Sequence, residues 1–403
     1  MAKGKRSSDT TTTGGDGQTS QGGDDAVSIT DDVRGAEYYH GLIPRMDAEP
    51  LLKREGDFLL RKTEHSPGMI VLALSCRTEN GVKHFMINQD PDGSFYFEHH
   101  HEKTIADLIA WHLATKTPLS TASNARLRRP IERSAWLLNH DSIVLVKKLG
   151  EGAFGEVYLA EYGSGKNKQE VAVKTMRNEA TREARLKFMK EARLMRKYNH
   201  KHVVKILGVA VHEHPLMLVM EVCPNGSLAS YLRKNRGNIS QAEKLRFSTE
   251  ASDGLAYLAK KQCIHRDIAA RNCLLGANYE IKIADFGMSD DKVIVHDDTL
   301  EKVPVKWLAP ETLQDKIYSL KTDVWSYGVL VWEIYAEGAE PYPGLTRLQT
   351  RAKIVVQNYR MEMPKDTPKN VAEIVYSCWE RDPARRPEMV KIFRMLREIG
   401  GEK

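Results

Sequence analysis

The chain has 403 residues, 41% of them hydrophobic and 28% charged, an ordinary globular composition with room for two or three domains. Its formal net charge of +6 is modest for that length and spread along it, which argues against a nucleic-acid binder. No stretch approaches the ~18 apolar residues of a membrane span, and no secretory run, glycine at position 2 or terminal prenylation cysteine is present, so an intracellular chain without a lipid anchor is expected.

Residues from Ser7 to Gly23 are almost entirely Ser, Thr, Gly, Gln and Asp, too polar to offset the entropy of ordering, and a disordered tail over 1–36 is expected. A helical pattern at Asp47 to Lys53 comes next, then strand-like runs at 58–61, 70–74, 82–87 and 94–97 separated by turn signals such as Glu79-Asn80-Gly81. A second helix is expected from Thr104 to Ala114, with Ile105, Leu108, Ile109 and His112 on one face. This is an α+β unit over 37–126, an antiparallel sheet flanked by two helices. A linker over 127–142 leads to a larger pattern of strands and then helices over 143–398, and 399–403 form a tail. Five cysteines without CxxC or metal-ligand spacing read as reduced thiols.

Arg61 ends an apolar strand on the same face as Leu59 and Thr63, so its charge calls for an anion unless it snorkels at the strand end. Arg45, Ser66 and His84 are further donors of the kind that grip a phosphate. With Tyr38-Tyr39-His40-Gly41 and Phe58-Leu59-Leu60-Arg61-Lys62-Thr63, this unit resembles the Src-homology-2 (SH2) domain. The resemblance implies that Arg61 is the bidentate phosphotyrosine ligand, assisted by Arg45, Thr63 and Ser66, with His84 and Phe85 lining the peptide face.

In the larger unit, Gly150-Glu151-Gly152-Ala153-Phe154-Gly155 is a GxGxxG followed by strand, glycine turn and the strand Val171-Ala172-Val173-Lys174, not by the long helix of a dinucleotide fold. Glu191 lies beside the core-facing stripe of Phe188, Ala192 and Met195 and is expected to pair with Lys174. His265-Arg266-Asp267 with Arg271 and Asn272, then Asp285-Phe286-Gly287 and Ala309-Pro310-Glu311, complete an ordered set that resembles the bilobal protein kinase fold.

That resemblance implies ATP and Mg2+. Asp267 would orient the substrate hydroxyl, assisted by Arg271, while Lys174 with Glu191 would hold the phosphates and Asn272 and Asp285 the metal. Leu149, Gly150, Gly152, Phe154, Gly155, Val157, Ala172, Met220, Glu221 and Cys223 would surround the nucleotide, Met220 as gatekeeper and Glu221 to Cys223 as hinge. Arg386 would pair with Glu311. Ala269-Ala270-Arg271 and Val303-Pro304-Val305-Lys306-Trp307 match the tyrosine-kinase form.

The domain order, with Trp136-Leu137-Leu138 and Asp285-Phe286-Gly287-Met288-Ser289, resembles the Fes/Fer non-receptor tyrosine kinases without their F-BAR region. This implies phosphotyrosine proteins and protein tyrosine substrates as partners, and a cytoplasmic enzyme recruited to the inner face of the plasma membrane through them. The alternative is a phosphotyrosine-binding adaptor with an inactive kinase domain. The short linker predicts that the small domain packs on the amino-terminal kinase lobe and steadies the helix bearing Glu191. From Gly287 to Glu311 there is no tyrosine, and Asp290 stands where the family commonly has Arg. Three routes are then open: Asp297 or Asp298 pairs with Arg266 in place of a phosphate, Thr299 is phosphorylated by another kinase, or the acids merely solvate the loop.

Overall fold

The computed structural model describes residues 31–66, 68–151, 155–176, 181–297 and 303–401. Residues 1–30 of the expected tail lie outside these. Order begins before Glu37, because Asp31–Arg34 form a helical turn whose Val33 is fully buried against the first domain's core. Among the described residues no helix is long and apolar enough to cross a membrane.

The first domain is built on three antiparallel strands, β1 (Asp57–Ser66), β2 (Met69–Thr78) and β3 (Gly81–Met86), with β2 in the middle. Period two divides β1 between two interiors. Phe58 and Leu60 enter the domain's own core with Leu72, Leu74 and Ile105, while Leu59 and Arg61 face the other way. Helix α1 (Ile105–Thr115) starts at Thr104, whose hydroxyl accepts from the Asp107 N–H, and buries Ile105, Leu108, Ile109 and His112. The helix expected from Asp47 to Lys53 is shorter and earlier: Arg45–Ala48 form one turn and Glu49–Leu51 a 3-10 turn, since Pro50 cannot donate the amide that an α-helix needs.

The second domain opens with five antiparallel strands, β4 (Ile143–Glu151), β5 (Glu156–Tyr162), β6 (Gln169–Thr175), β7 (Ile206–Ala210) and β8 (Met217–Glu221), in the order β7-β8-β6-β5-β4. Helix α2 (Arg182–Arg196) lies between β6 and β7 in sequence, capped by Thr181, and buries Phe188, Met189, Glu191, Ala192 and Met195. The helical lobe is organised by α3 (Gln241–Lys260), α4 (Leu320–Tyr335) and α5 (Met389–Ile399). Helix α4 is buried from Thr322 to Tyr335, as its continuous apolar sequence requires, and a Ser319/Thr322 capping box satisfies its first amides.

The two domains share a core. Ile43, Leu52 and Leu59 of the first belong to the same buried cluster as Met176, Met189 and Met195 of the second. The Leu42 N–H donates to Val211 O at 2.7 Å, and a Cβ at Gly41 (φ +69) would lie 2.3 Å from that oxygen, so glycine is required there. Arg133 of the linker lies 2.7 Å from His212 Nε2. Burial and the Arg133 charge push the His212 pKa down to about 4, which keeps the ring a neutral acceptor.

Candidate functional site

Two sites face each other across α2. In the cleft between the kinase lobes, Lys174 sits in β6 opposite Leu218 and Val157 on the flanking strands. Its Nζ donates to both Glu191 carboxylate oxygens, at 2.9 and 2.8 Å, and lies 4.0 Å from Asp285 Oδ1. Burial alone would lower the Lys174 pKa, but the charges of Glu191 and Asp285 outweigh it and raise the pKa, so the ammonium form is held.

The loop from His265 to Asn272 is stiffened by a carboxylate of helix α4. Asp323, at the start of α4, accepts the backbone N–H groups of His265 (2.7 Å) and Arg266 (3.0 Å), and burial raises its pKa to about 6. His265 Nε2 lies 2.9 Å from Ala284 O, and its ring packs edge-on against Phe286, which is buried. Asp285 is thereby carried into the cleft in a left-handed conformation (φ +59), the unusual backbone that functional loops retain when their surroundings over-determine it. Asp267 pairs with Arg271, whose guanidinium lies over the Trp307 ring at 4.4 Å. Trp307 and Ala270 both donate to Glu333 Oε2, at 3.0 and 2.9 Å, so one buried acid ties the loop to the platform after it. The Asn272 side-chain N–H donates to Asp267 O at 2.8 Å, leaving its amide oxygen as an acceptor.

Around the cleft, Ala172 opposes Met220 across the β6 and β8 pairing, and Gly150 opposes Val157 across β4 and β5. Leu149 is exposed, and Glu221 binds the Lys205 N–H (2.7 Å) and Lys282 Nζ (3.2 Å). Burial pushes the Cys223 thiol up to about 12, which keeps it protonated and unreactive. Gly152 and Phe154 lie outside the described residues. A Cβ at Gly155 would lie 1.7 Å from Thr175 O, so this glycine lets the chain pass the strand of Lys174, a need that arises before any nucleotide is considered. Arg386 grips Glu311 with two bonds, at 2.6 and 2.8 Å.

Asp297 is paired with Arg266 at 2.7 Å, whereas Asp298 and Thr299 lie outside the described residues.

The second site is a cavity of about 490 Å³ beside β1. Arg61 is 1% exposed. Its Nε donates to Ser75 Oγ (3.1 Å), an NH1 proton reaches Ile43 O (3.4 Å), and NH2 has no partner among the described residues. Burial, then the Arg45 charge, lowers its pKa to about 10. Arg45, Thr63 and His84 line the same cavity. His84 is held between Ser75 Oγ (2.8 Å) and Glu49 (3.2 Å), and burial lowers its pKa. Phe85 packs instead against the domain's own core.

Ser66 does not join the group. It ends β1, exposed, with its hydroxyl on Met69 Sδ at 3.5 Å, because the strand runs on past the expected loop. Arg182 and Arg185 of α2, which sequence reading did not assign, complete the cavity wall. Arg185 pairs with Glu64 and Arg193 with Asp47 (2.6 Å), both across the domain boundary. Only a charged helix marked these arginines in the sequence.

Comparison with known proteins agrees with this geometry. Residues 143–396 match the family "Protein tyrosine and serine/threonine kinase" and residues 38–112 the SH2 domain. Fer-related kinase 1 of Caenorhabditis elegans is 66% identical over 377 residues, 93% of this chain and 96% of the relative. Tyrosine-protein kinase Fer of Rattus norvegicus is 40% identical over 90% of this chain, which spans 44% of that protein. The transforming protein Fps of avian sarcoma virus is 38% identical over 89% of this chain and 67% of its own length. The chain belongs to the protein tyrosine kinases, as a non-receptor member in which an SH2 domain precedes the kinase domain.

Proposed function

We propose that the kinase transfers the γ-phosphoryl group of ATP to protein tyrosine hydroxyls through the cleft around Lys174, and that the Arg61 cavity brings it to phosphotyrosine proteins. The observation that carries the first half is the assembled line of Glu191, Lys174 and Asp285, with Asp267 held opposite by Arg271. Lys174 neutralises charge on the α- and β-phosphates, and Glu191 keeps it from swinging away. Asp267 accepts the proton of the tyrosine hydroxyl as the new P–O bond forms and the bond to the β-phosphate oxygen breaks. Arg271, resting on Trp307, sets the orientation of Asp267.

Among the described residues no cluster of three or more His, Cys, Asp and Glu is placed to hold a metal. Asp285 and Asn272 offer two oxygen ligands instead, which fits Mg2+, an ion commonly held by one or two carboxylates with water and substrate phosphates filling its octahedron. When bound there it would neutralise charge on the phosphates.

In the second site, the unpartnered NH2 of buried Arg61 supports a dianionic ligand, with Arg45, Thr63 and His84 as its walls. The functional domains are taken as 37–126 and 143–398, in a cytoplasmic enzyme recruited through phosphotyrosine partners. Purified protein with labelled ATP, Mg2+ and a Glu/Tyr polymer, beside Asp267→Asn, tests the first half. Incorporation equal in both proteins would remove Asp267 from the chemistry.

A further inference from the structure

The segment between Gly287 and Glu311 contains no tyrosine, yet it is tied down by charge at three points. Asp290 Oδ2 lies 2.5 Å from Lys190 Nζ, Asp291 Oδ2 lies 2.8 Å from Lys197 Nζ, and Asp297 Oδ2 lies 2.7 Å from Arg266 NH2. Burial separates them. The side chains of Asp291 and Lys197 are 46% and 56% exposed, a surface pair of little weight. Those of Arg266 and Asp297 are 6% and 19% exposed, so this pair is screened least. That of Asp290 is 7% exposed but that of its partner Lys190 is 43%, so this pair is anchored on the acid side and open on the other.

We propose that Asp290 and Asp297 are positioning residues for phosphoryl transfer: acids built into the activation segment hold it against α2 and the catalytic loop, and the kinase is competent without a phosphate there. The proposal rests on the kinase reading above and concerns how that site is kept assembled.

Asp290 acts from a fixed point. Its backbone exchanges two hydrogen bonds with Ile264, at 3.0 and 2.9 Å, and the Ser289 hydroxyl donates to His265 O at 3.1 Å, so its carboxylate is anchored beside the residues leading to Asp267. Its partner Lys190 immediately precedes Glu191 in α2. Successive helix residues point about 100° apart, so a tie at Lys190 fixes the rotation of α2 that turns Glu191 toward Lys174. An arginine at 290, the residue common in the Fes/Fer family, would face Lys190 with like charge.

Asp297 holds the other end. It follows the pairing of Val295 with Tyr318 and of His296 with Ile317, and its N–H donates to Lys316 O at 3.3 Å. Its carboxylate meets an Arg266 guanidinium that lies 4.0 Å above the Tyr318 ring and whose Nε has no partner among the described residues. Arg266 itself is in a left-handed conformation (φ +71) next to Asp267. Loss of the Asp297 charge would leave this buried cation unbalanced beside the catalytic aspartate.

The test uses the full chain made in bacteria, assayed on the Glu/Tyr polymer before and after a phosphatase that removes phosphate from Ser, Thr and Tyr. The treated protein is expected to keep its kcat within about twofold, Asp290→Lys and Lys190→Asp each to lose about tenfold, and the exchanged pair carrying both to recover to within about threefold of the parent, the signature of a direct pair. Asp297→Asn is expected to lower kcat about fivefold, more than it alters the KM for ATP. Thermal unfolding of each variant separates lost positioning from lost folding. Activity that disappears on phosphatase treatment would overturn the proposal and leave the kinase reading intact. An exchanged pair as slow as the slower single variant also overturns it. A chain inactive both before and after treatment removes the kinase reading together with the proposal.

Discussion

Two cations flank α2, Arg61 buried and Lys174 half-buried, and the protein treats them in opposite ways. Lys174 has its counter-ion inside the chain: Glu191 is 2.8 Å away and the ammonium is stabilised. Among the described residues Arg61 hydrogen-bonds only neutral groups, Ser75 Oγ and Ile43 O, and burial with the Arg45 charge, outweighing Glu49, draws its pKa down to about 10. A cation that must stay poised through repeated turnover is balanced internally, so its position does not depend on what is bound. A cation that serves as a receptor is left with unsatisfied capacity, so that an arriving dianion supplies what the fold withholds. Under the proposed function, the first site is preorganised for chemistry and the second for capture.

The largest expected effect breaks the catalytic half of this contrast. Lys174→Met and Asp285→Asn should each lower kcat at least about a hundredfold, because they remove phosphate and metal positioning. Asp285→Asn should leave the melting temperature little changed, whereas Lys174→Met also strips buried Glu191 of its partner and should lower it. Near-normal turnover in either folded variant would sink those roles. Next, Arg61→Leu should weaken phosphotyrosine-peptide binding by about 2 to 5 kcal/mol, at least about thirtyfold, read by calorimetry. The same variant sharpens the contrast. Because Arg61 is buried with no ion pair among the described residues, its loss should leave the melting temperature of the free protein unchanged or higher, whereas a drop of several degrees would show that its charge is compensated.

Smaller effects test the link between the two sites. Asp47→Arg sets like charges at Arg193 and should lower turnover by about threefold to tenfold if the SH2 domain steadies α2. Equal kcat in the folded variant would mean that the domains touch without coupling. Smallest of all, Arg182→Ala should reduce phosphopeptide affinity by about 1 kcal/mol or less, since this side chain is exposed at the cavity wall. An increase in affinity would exclude Arg182 from the ligand.

Much of this protein was legible in its sequence because the relevant signals are local or periodic. Strand periodicity placed Leu59, Arg61 and Thr63 on one face, and helical periodicity turned Glu191 inward beside Phe188 and Met195. The ordered motifs around Asp267 and Asp285 needed only a chain reading, since the chemistry demands those residue types at those spacings. The motifs also led to the pairs Lys174–Glu191 and Arg386–Glu311 and left Asp297 as one of three routes for Arg266, but only tertiary structure decided which of the remaining distant charges meet. The sequence offered five acids after Gly287 and several basic residues on α2, but a charge run carries no direction. Folding brought Asp290 to Lys190 and Asp297 to Arg266, kept Ser66 out of the Arg61 cavity, and placed Arg182 and Arg185 in its wall. Asp323 likewise became the anchor of the catalytic loop only when α4 was packed beneath it. The physical reason is common to these cases. Hydrogen-bond and charge pairing acts over a few ångströms in space, and residues far apart in the chain come that close only where hydrophobic packing has already set their elements side by side.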